Sequence, residues 1–168
     1  KGAVLHEHPA YVGGIGVTGS ASANAMAAEA DVIVAIGTRL QDFTTGSWTS
    51  FKADAQFISI NAARFDATKH RAISVVGDAR ESLREMDAAL GDWSAPGTWM
   101  EKGRDEMAKW DSLIDELQKP SNAHIPSYAQ VIKVVQDNAK TEDLVITAAG
   151  GPPGEVNKCW RVKAPNTV

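Results

Sequence analysis

Three short runs of apolar, largely β-branched residues, DVIVAIG at 31–37, QFISINA at 56–62 and AISVVGD at 72–78, recur with helix-compatible segments between them. Continuous apolar runs of this length are expected of strands buried on both faces, and strands alternating with helices predict a parallel α/β sheet. A fourth run, DLVITAA at 143–149, predicts another buried strand, closed by the turn residues GGPPG at 150–154. In such sheets ligands bind at the edge formed by the carboxyl ends of the strands.

The helices are marked by their caps and stripes. Residues 1–19 are loop-like, and Ser20 to Ala30 reads as a helix of small residues with Thr18 or Ser20 available as N-cap. Asp78 is placed to cap a helix carrying Leu83, Met86 and Leu90, with Glu81 at the capping-box position and Gly91 at its end. The stretch GDWSAPGT at 91–98 is the best linker. Beyond it Gly103, Met107, Trp110, Ile114 and Leu117 recur at spacings of 3 and 4, an amphipathic helix that stops before Pro120. Ser127 can cap a further short helix bearing Tyr128, Val131, Ile132 and Val135.

A chain of 168 residues can bury a sizeable core. Its formal charge of −4 disfavours a nucleic-acid binder. The single cysteine, Cys159, cannot form an intrachain disulfide and lacks the spaced partners of a zinc site, so a reducing, cytoplasmic compartment is expected. Apolar runs are far too short for a transmembrane helix, no signal-peptide pattern opens the sequence, and a membrane association is not expected. Because the sequence starts at Lys1 and stops at KAPNTV without a capping element, it reads as a fragment.

Two glycine-rich loops and one polar loop carry the candidate chemistry. Gly14, Gly16 and Gly19, with Thr18, fit the G-x-G-x-x-G pattern of a dinucleotide turn. That pattern needs a strand before its first glycine and an acid about 20 residues after it. Here HEHPAYV precedes it and Arg39 falls near the acid's place, so a turn permitting close backbone packing is the stronger reading. The loop after the strongest strand, GTRLQDFTTGSW at 37–48, presents Gly37, Thr38 and Arg39 at the ligand edge; the alternative is a polar loop in which Arg39 pairs with Asp42. In AAGGPPGEVNKCW at 148–160, Gly150, Gly151 and Gly154 leave amides open after a strand, and a helix starting near Gly154 or Glu155 would favour an anion; a plain glycine-proline turn is the alternative. His6 and His8 flank Glu7 with no third ligand and read as solvated loop histidines. Trp99 and Trp110 fit a helix stripe, as core or interface residues rather than a stacking site.

The order of these motifs resembles the thiamine-diphosphate enzymes of the acetolactate-synthase type. The resemblance rests on His8-Pro9, Gly13 to Gly19, Ala23-Asn24, Ala30-Asp31, Gly37-Thr38-Arg39, Asp42, Thr45-Gly46, Ile58 to Asn61, and Gly77-Asp78 with Leu83. Within that group, the segments at 16–48, 57–70 and 148–160 are most similar to the inositol-catabolism branch. Phe43-Thr44-Thr45 and Asn61-Ala62-Ala63 carry that distinction from the synthases.

The resemblance implies an incomplete Rossmann-like middle domain, of the DHS-like NAD/FAD-binding type, over residues 1–92. It further implies a helical linker over 93–126 and the first elements of a diphosphate-binding domain over 127–168. The implied activity of the intact enzyme is hydrolytic opening of a ring C–C bond in a cyclic 1,2-dione, releasing 5-deoxy-glucuronate, with thiamine diphosphate as electron sink and Mg²⁺ as its metal. The implied assembly is a homo-oligomer, dimer or tetramer, with the activating glutamate and the GDG…N metal motif outside these residues. No catalytic side chain or metal ligand is therefore expected here. Gly150, Gly151 and Pro152 match the family loop close to the cofactor diphosphate, while Gly14, Gly16, Thr18, Gly19, Gly37, Thr38 and Arg39 match a dinucleotide-shaped pocket that is structural or vestigial. Asn61 stands where flavin-binding relatives have an acid, so FAD is not expected. Two alternatives stay open: an acetolactate-synthase-like lyase or transferase, and a non-catalytic nucleotide-binding or structural module.

Overall fold

Val32–Ile36 (β1), Gln56–Asn61 (β2) and Ile73–Val76 (β3) form a three-stranded parallel sheet in the order β1-β2-β3. These are the three β-branched runs, and the architecture is the expected α/β, Rossmann-like one. The structure, a computed structural model, describes residues 2–168. It divides into two compact units, Ala27–Pro96, and the residues up to Met26 together with Gly97–Val168. The segments 1–92, 93–126 and 127–168 are not the units that compactness picks out.

In the unit Ala27–Pro96, one-turn helices Asp42–Thr45 (α2) and Arg64–Ala67 (α3), a 3₁₀ turn Lys69–Arg71 and the helix Ala79–Leu90 (α4) accompany the sheet. Register pairs Val34 with Ile58 and Ile58 with Ile73, then Ile36 with Ile60 and Ile60 with Val75. Because side chains alternate, these residues share one face. Strands buried on both faces were expected, and the structure corrects this: Val32, Val34, Ile36, Ile73 and Val75 are between 37% and 62% exposed, while Ile60 is 2% exposed. The reason lies in the small sheet. Only β2 has a strand on each side, and the helices pack chiefly away from β1, α3 on β2 and β3 and α4 on β2.

Asp78 caps α4 as its position predicts, its Oδ1 accepting from the amides of Arg80 at 2.9 Å and Glu81 at 3.1 Å. Glu81 does not complete a capping box, because its carboxylate pairs with Arg84 one turn on, at 3.1 Å.

The other unit holds most of Ala21–Glu29 (α1), with Gly97–Leu117 (α5), Tyr128–Asn138 (α6) and Gly151–Cys159 (α7). Helix α5 starts at Gly97, inside the expected linker, which shortens that linker to 91–96. Of its predicted stripe Gly103, Met107 and Ile114 are buried, whereas Leu117 is 52% exposed and the neighbouring Gln118 is buried just past the end of the helix. A core of Ile114, Ala129, Ile132, Val156, Cys159 and Trp160 joins α5, α6 and α7, and Trp110 packs against it. Ser127 and Gln130 form a reciprocal capping box at the start of α6.

Residues 143–149 are not the predicted strand. They are irregular, with Leu144 69% and Ile146 89% exposed, and of their backbone groups Val145 donates to the Thr167 carbonyl at 2.9 Å. A strand requires a ladder partner, and among the described residues no strand pairs with this segment. Among the described residues no helix is long and apolar enough to cross a membrane.

Candidate functional site

The glycine turn closes on itself. Gly13 and Gly16 have φ of 97° and 112°, and the Gly16 amide donates to Asn24 Oδ1 at 2.9 Å while Asn24 Nδ2 donates to the Gly16 carbonyl at 2.9 Å. The Gly19 amide donates to the Gly16 carbonyl at 2.9 Å and the Ser20 amide to the Gly14 carbonyl at 2.7 Å. A Cβ on Gly19 would stand 2.2 Å from the Gly14 carbonyl oxygen, so the glycine permits backbone to touch backbone. Of the two expected cap residues, Ser20 takes the role, its Oγ accepting from the Ala23 amide at 3.2 Å and donating to the Val12 carbonyl at 3.0 Å.

Helix α7 begins at Gly151, three residues before the expected start, with Gly150 as N-cap at φ 119°. Its first turn contains Pro152 and Pro153, which carry no N–H. The unbonded donors at the helix start are therefore the amides of Gly150 and Gly151. No acidic residue lies in this first turn, and Glu155 pairs with Lys158 at 3.0 Å. The Tyr128 ring of α6 stands beside Gly151, where an added Cβ would meet it at 3.1 Å.

These two glycine loops, far apart in sequence, meet. Asn157 Nδ2 donates to the Thr18 carbonyl at 3.0 Å, a Cβ on Gly14 would meet the Asn157 side chain at 3.1 Å, and one on Gly154 would meet Thr18 Cγ2 at 3.2 Å. Gly14, Thr18, Gly150 and Gly151 thus belong to one unit, and Gly37, Thr38 and Arg39 to the other. Asn157 and Tyr128 were not singled out from sequence. Asn157 lay within the glycine-rich segment itself, one α-helical turn after Gly154, which is the signal that could have found it.

A polar clasp flanks this region. His6 Nε2 lies 3.3 Å from Asp111 Oδ1, and Arg161 Nη2 lies 3.3 Å from the same oxygen and 2.7 Å from Asp115 Oδ1. Burial pushes the Asp111 carboxyl up, but the hydrogen bond and charge of His6 together with the Arg161 guanidinium outweigh it, and its pKa lies below the ordinary carboxylate value. Burial, reinforced by the Asp111 charge, raises the Tyr11 phenol. His6 is thus no solvated loop histidine: its side chain is 16% exposed, because its amide donates to the Val162 carbonyl at 3.0 Å and the segment folds onto α5. His8 does stay in an exposed loop, its Nδ1 accepting from the Ala10 amide.

At the carboxyl edge of the sheet, Gly37 takes φ 63° and donates to the Ile60 carbonyl at 2.9 Å. Thr38 Oγ1 accepts from the Leu40 amide at 3.2 Å, and Asn61 Nδ2 donates to the Thr38 carbonyl at 3.0 Å. Asn61 therefore ties the ends of β1 and β2 together. Arg39 is exposed and, among the described residues, forms no salt bridge with Asp42. No group of three His, Cys, Asp or Glu side chains able to hold a metal occurs among the described residues.

The parallel α/β sheet of one unit gives the fold class, and in the other unit a glycine turn packs on a glycine-started helix; comparison with known families agrees with that class. Residues 1–86 match the family described as the thiamine pyrophosphate enzyme central domain, and the chain belongs to that family. At finer grain it is similar to the 3D-(3,5/4)-trihydroxycyclohexane-1,2-dione hydrolase of Geobacillus thermodenitrificans strain NG80-2, with 32% identity over 188 residues, 99% of this chain and 29% of the relative. The protein of the same name from Clostridium perfringens strain ATCC 13124 is 30% identical over 95% of this chain, and that of Bacillus anthracis strain A0248 29% identical over 99%. The chain spans about 29% to 30% of the length of the curated relatives it matches.

Proposed function

We propose that the chain is part of a thiamine-diphosphate- and Mg²⁺-dependent hydrolase that opens the ring of a trihydroxycyclohexane-1,2-dione to 5-deoxy-glucuronate. The observation that carries this reading is similarity to proteins of that name along nearly the whole chain, in both units, and not only over the central-domain match. Residues 1–92 are proposed as central domain and 127–168 as diphosphate-binding domain, in a homo-oligomer.

The start of α7 fits the cofactor's diphosphate. Two glycine amides, Gly150 and Gly151, are free of intrahelical partners, the helix dipole favours negative charge there, and no carboxylate sits in the first turn. Pro152 holds the turn rather than donating to it. Bound thiamine diphosphate supplies an electron sink for C–C cleavage. What this chain contributes is position: Tyr128 backs Gly151, and Asn157 fixes α7 against the Gly14–Gly19 turn. That turn is proposed as structural, since its Gly16 and Gly19 amides are consumed within it.

The test is a ring-opening assay of the full-length protein with added thiamine diphosphate and Mg²⁺, run beside its Gly151→Ala variant. The reading expects 5-deoxy-glucuronate from the wild type and weaker cofactor binding, by roughly tenfold, in the variant, whose added methyl meets the Tyr128 ring. Acetolactate formed from pyruvate, with the dione untouched, would replace it with the lyase or transferase reading.

A further inference from the structure

The amino-terminal edge of the sheet, opposite to Gly37–Arg39, carries a cavity of about 420 Å³. Gln56 and Ile73, the first residues of β2 and β3, place it there. Its wall is aromatic. Trp48 has its ring centroid 3.5 Å from that of His70, 5.2 Å from that of Phe57 and 5.6 Å from that of Phe51. Lys52 and Arg71 also line it, both exposed, neither in a salt bridge among the described residues, and no acidic residue is in the lining.

The backbone around this cavity is unusual. Ser47, Trp48, His70 and Arg71 take φ of 52°, 68°, 58° and 60°, so two adjacent pairs of non-glycine residues, one on each side, lie in the left-handed region. Bulky residues there are outliers that persist only where surroundings over-determine them, and they concentrate at ligand clamps. The strained pairs hold the Trp48 and His70 rings in contact. Partial desolvation and the Lys69 charge lower the His70 pKa, with Asp42 opposing, and the fixed positive charge of the lining comes from Lys52 and Arg71.

We propose that this cavity binds a small planar aromatic ring bearing an anionic group, of the size of a nucleoside monophosphate, the ring on the Trp48–His70–Phe57 wall and the anion at Lys52 and Arg71. Rings stack on aromatic faces, and two unpaired cations without an acid in the lining select for negative charge. The volume lies within the range of small-molecule sites.

Adenosine 5′-monophosphate is the probe, titrated calorimetrically into the full-length protein, with adenosine as its uncharged counterpart. Saturable binding is expected, weaker by on the order of tenfold for adenosine and for each of Lys52→Ala and Arg71→Ala, and unchanged by Arg39→Ala. Both lysine and arginine variants change exposed side chains, so circular dichroism identical to wild type is expected alongside. The proposal is overturned by absence of binding up to about 10 mM, by equal affinity for adenosine, or by loss of binding in Arg39→Ala with Arg71→Ala unaffected. The last result would put the nucleotide on the carboxyl edge instead.

Discussion

Gly19 and Gly37 show how differently two glycines constrain a chain. At Gly19 a methyl group would stand 2.2 Å from the Gly14 carbonyl oxygen and 2.6 Å from the Ile15 carbonyl carbon, both backbone atoms that cannot rotate away. At Gly37 φ is 63° but nothing lies within 4 Å of the added carbon. Gly37→Ala should therefore cost only the left-handed backbone, about 1–2 kcal/mol, whereas Gly19→Ala should cost more, about 3 kcal/mol or above. Urea unfolding of the two variants checks the order, and equal costs would contradict the close packing of the turn. The G-x-G-x-x-G pattern was legible in sequence, as was the missing strand before it. What sequence could not supply was the partner, because Asn157 is brought to Thr18 from 139 positions away.

Asp111 carries a charge held between His6 and Arg161. Its folded pKa lies below the ordinary 3.8, so the unfolded state binds the proton more readily, and stability falls as pH drops. The contribution is complete above about pH 4 and is lost as pH falls through the folded pKa. Tyr11 has the opposite sign: its folded pKa lies above the ordinary 10.0, so its contribution is present below that value and is lost as pH rises through the folded pKa. Asp111→Asn should flatten the acid limb of a stability–pH curve followed by urea midpoint. An unchanged acid limb would mean that the contacts with His6 and Arg161 carry no net energy.

At the scale of elements, caps were legible because they are local. Asp78 and Ser127 sit where their type and spacing put them, and each accepts from amides two or three residues on. Asp78→Ala should destabilise α4 by about 1 kcal/mol, while Glu81→Ala, which removes a surface pair with Arg84 and no cap, should fall within about 0.5 kcal/mol of wild type. Thermal unfolding of both variants distinguishes a cap from a full capping box, in which the second substitution would also cost. Strand existence was equally readable for β1, β2 and β3, where β-branched runs pair in order. It failed at 143–149 for a physical reason: DLVITAA has strand composition, but a strand is a property of two segments, and here Thr167 supplies one carbonyl rather than a ladder. Burial failed for the same reason, since the composition of Val32–Ile36 cannot reveal how much cover its neighbours provide.

At the scale of the whole molecule, the family match over 1–86 and the grouping by packing cut the chain differently, and the difference can be measured. The segment before residue 27 is held by contacts with residues after 96: the Ser22 hydroxyl lies 3.6 Å from Met107 Sδ, the His6 amide donates to Val162, and the Asn157 side chain donates to Thr18. Between them residues 91–96 are all exposed, with Trp93 67% exposed, so limited chymotrypsin should cut after Trp93 before it reaches the helices. A single cut there severs no packing contact of the unit formed by 1–26 and 97–168, whose two segments meet through side chains rather than through the peptide bond that is broken. The nicked protein should elute as one species on size exclusion in native buffer and as two peptides in urea, and His6→Ala or Asn157→Ala should shift that separation to lower urea. Peptides that part in native buffer would show instead that 1–93 and 94–168 fold apart, with the contacts of His6, Thr18 and Ser22 too weak to join them.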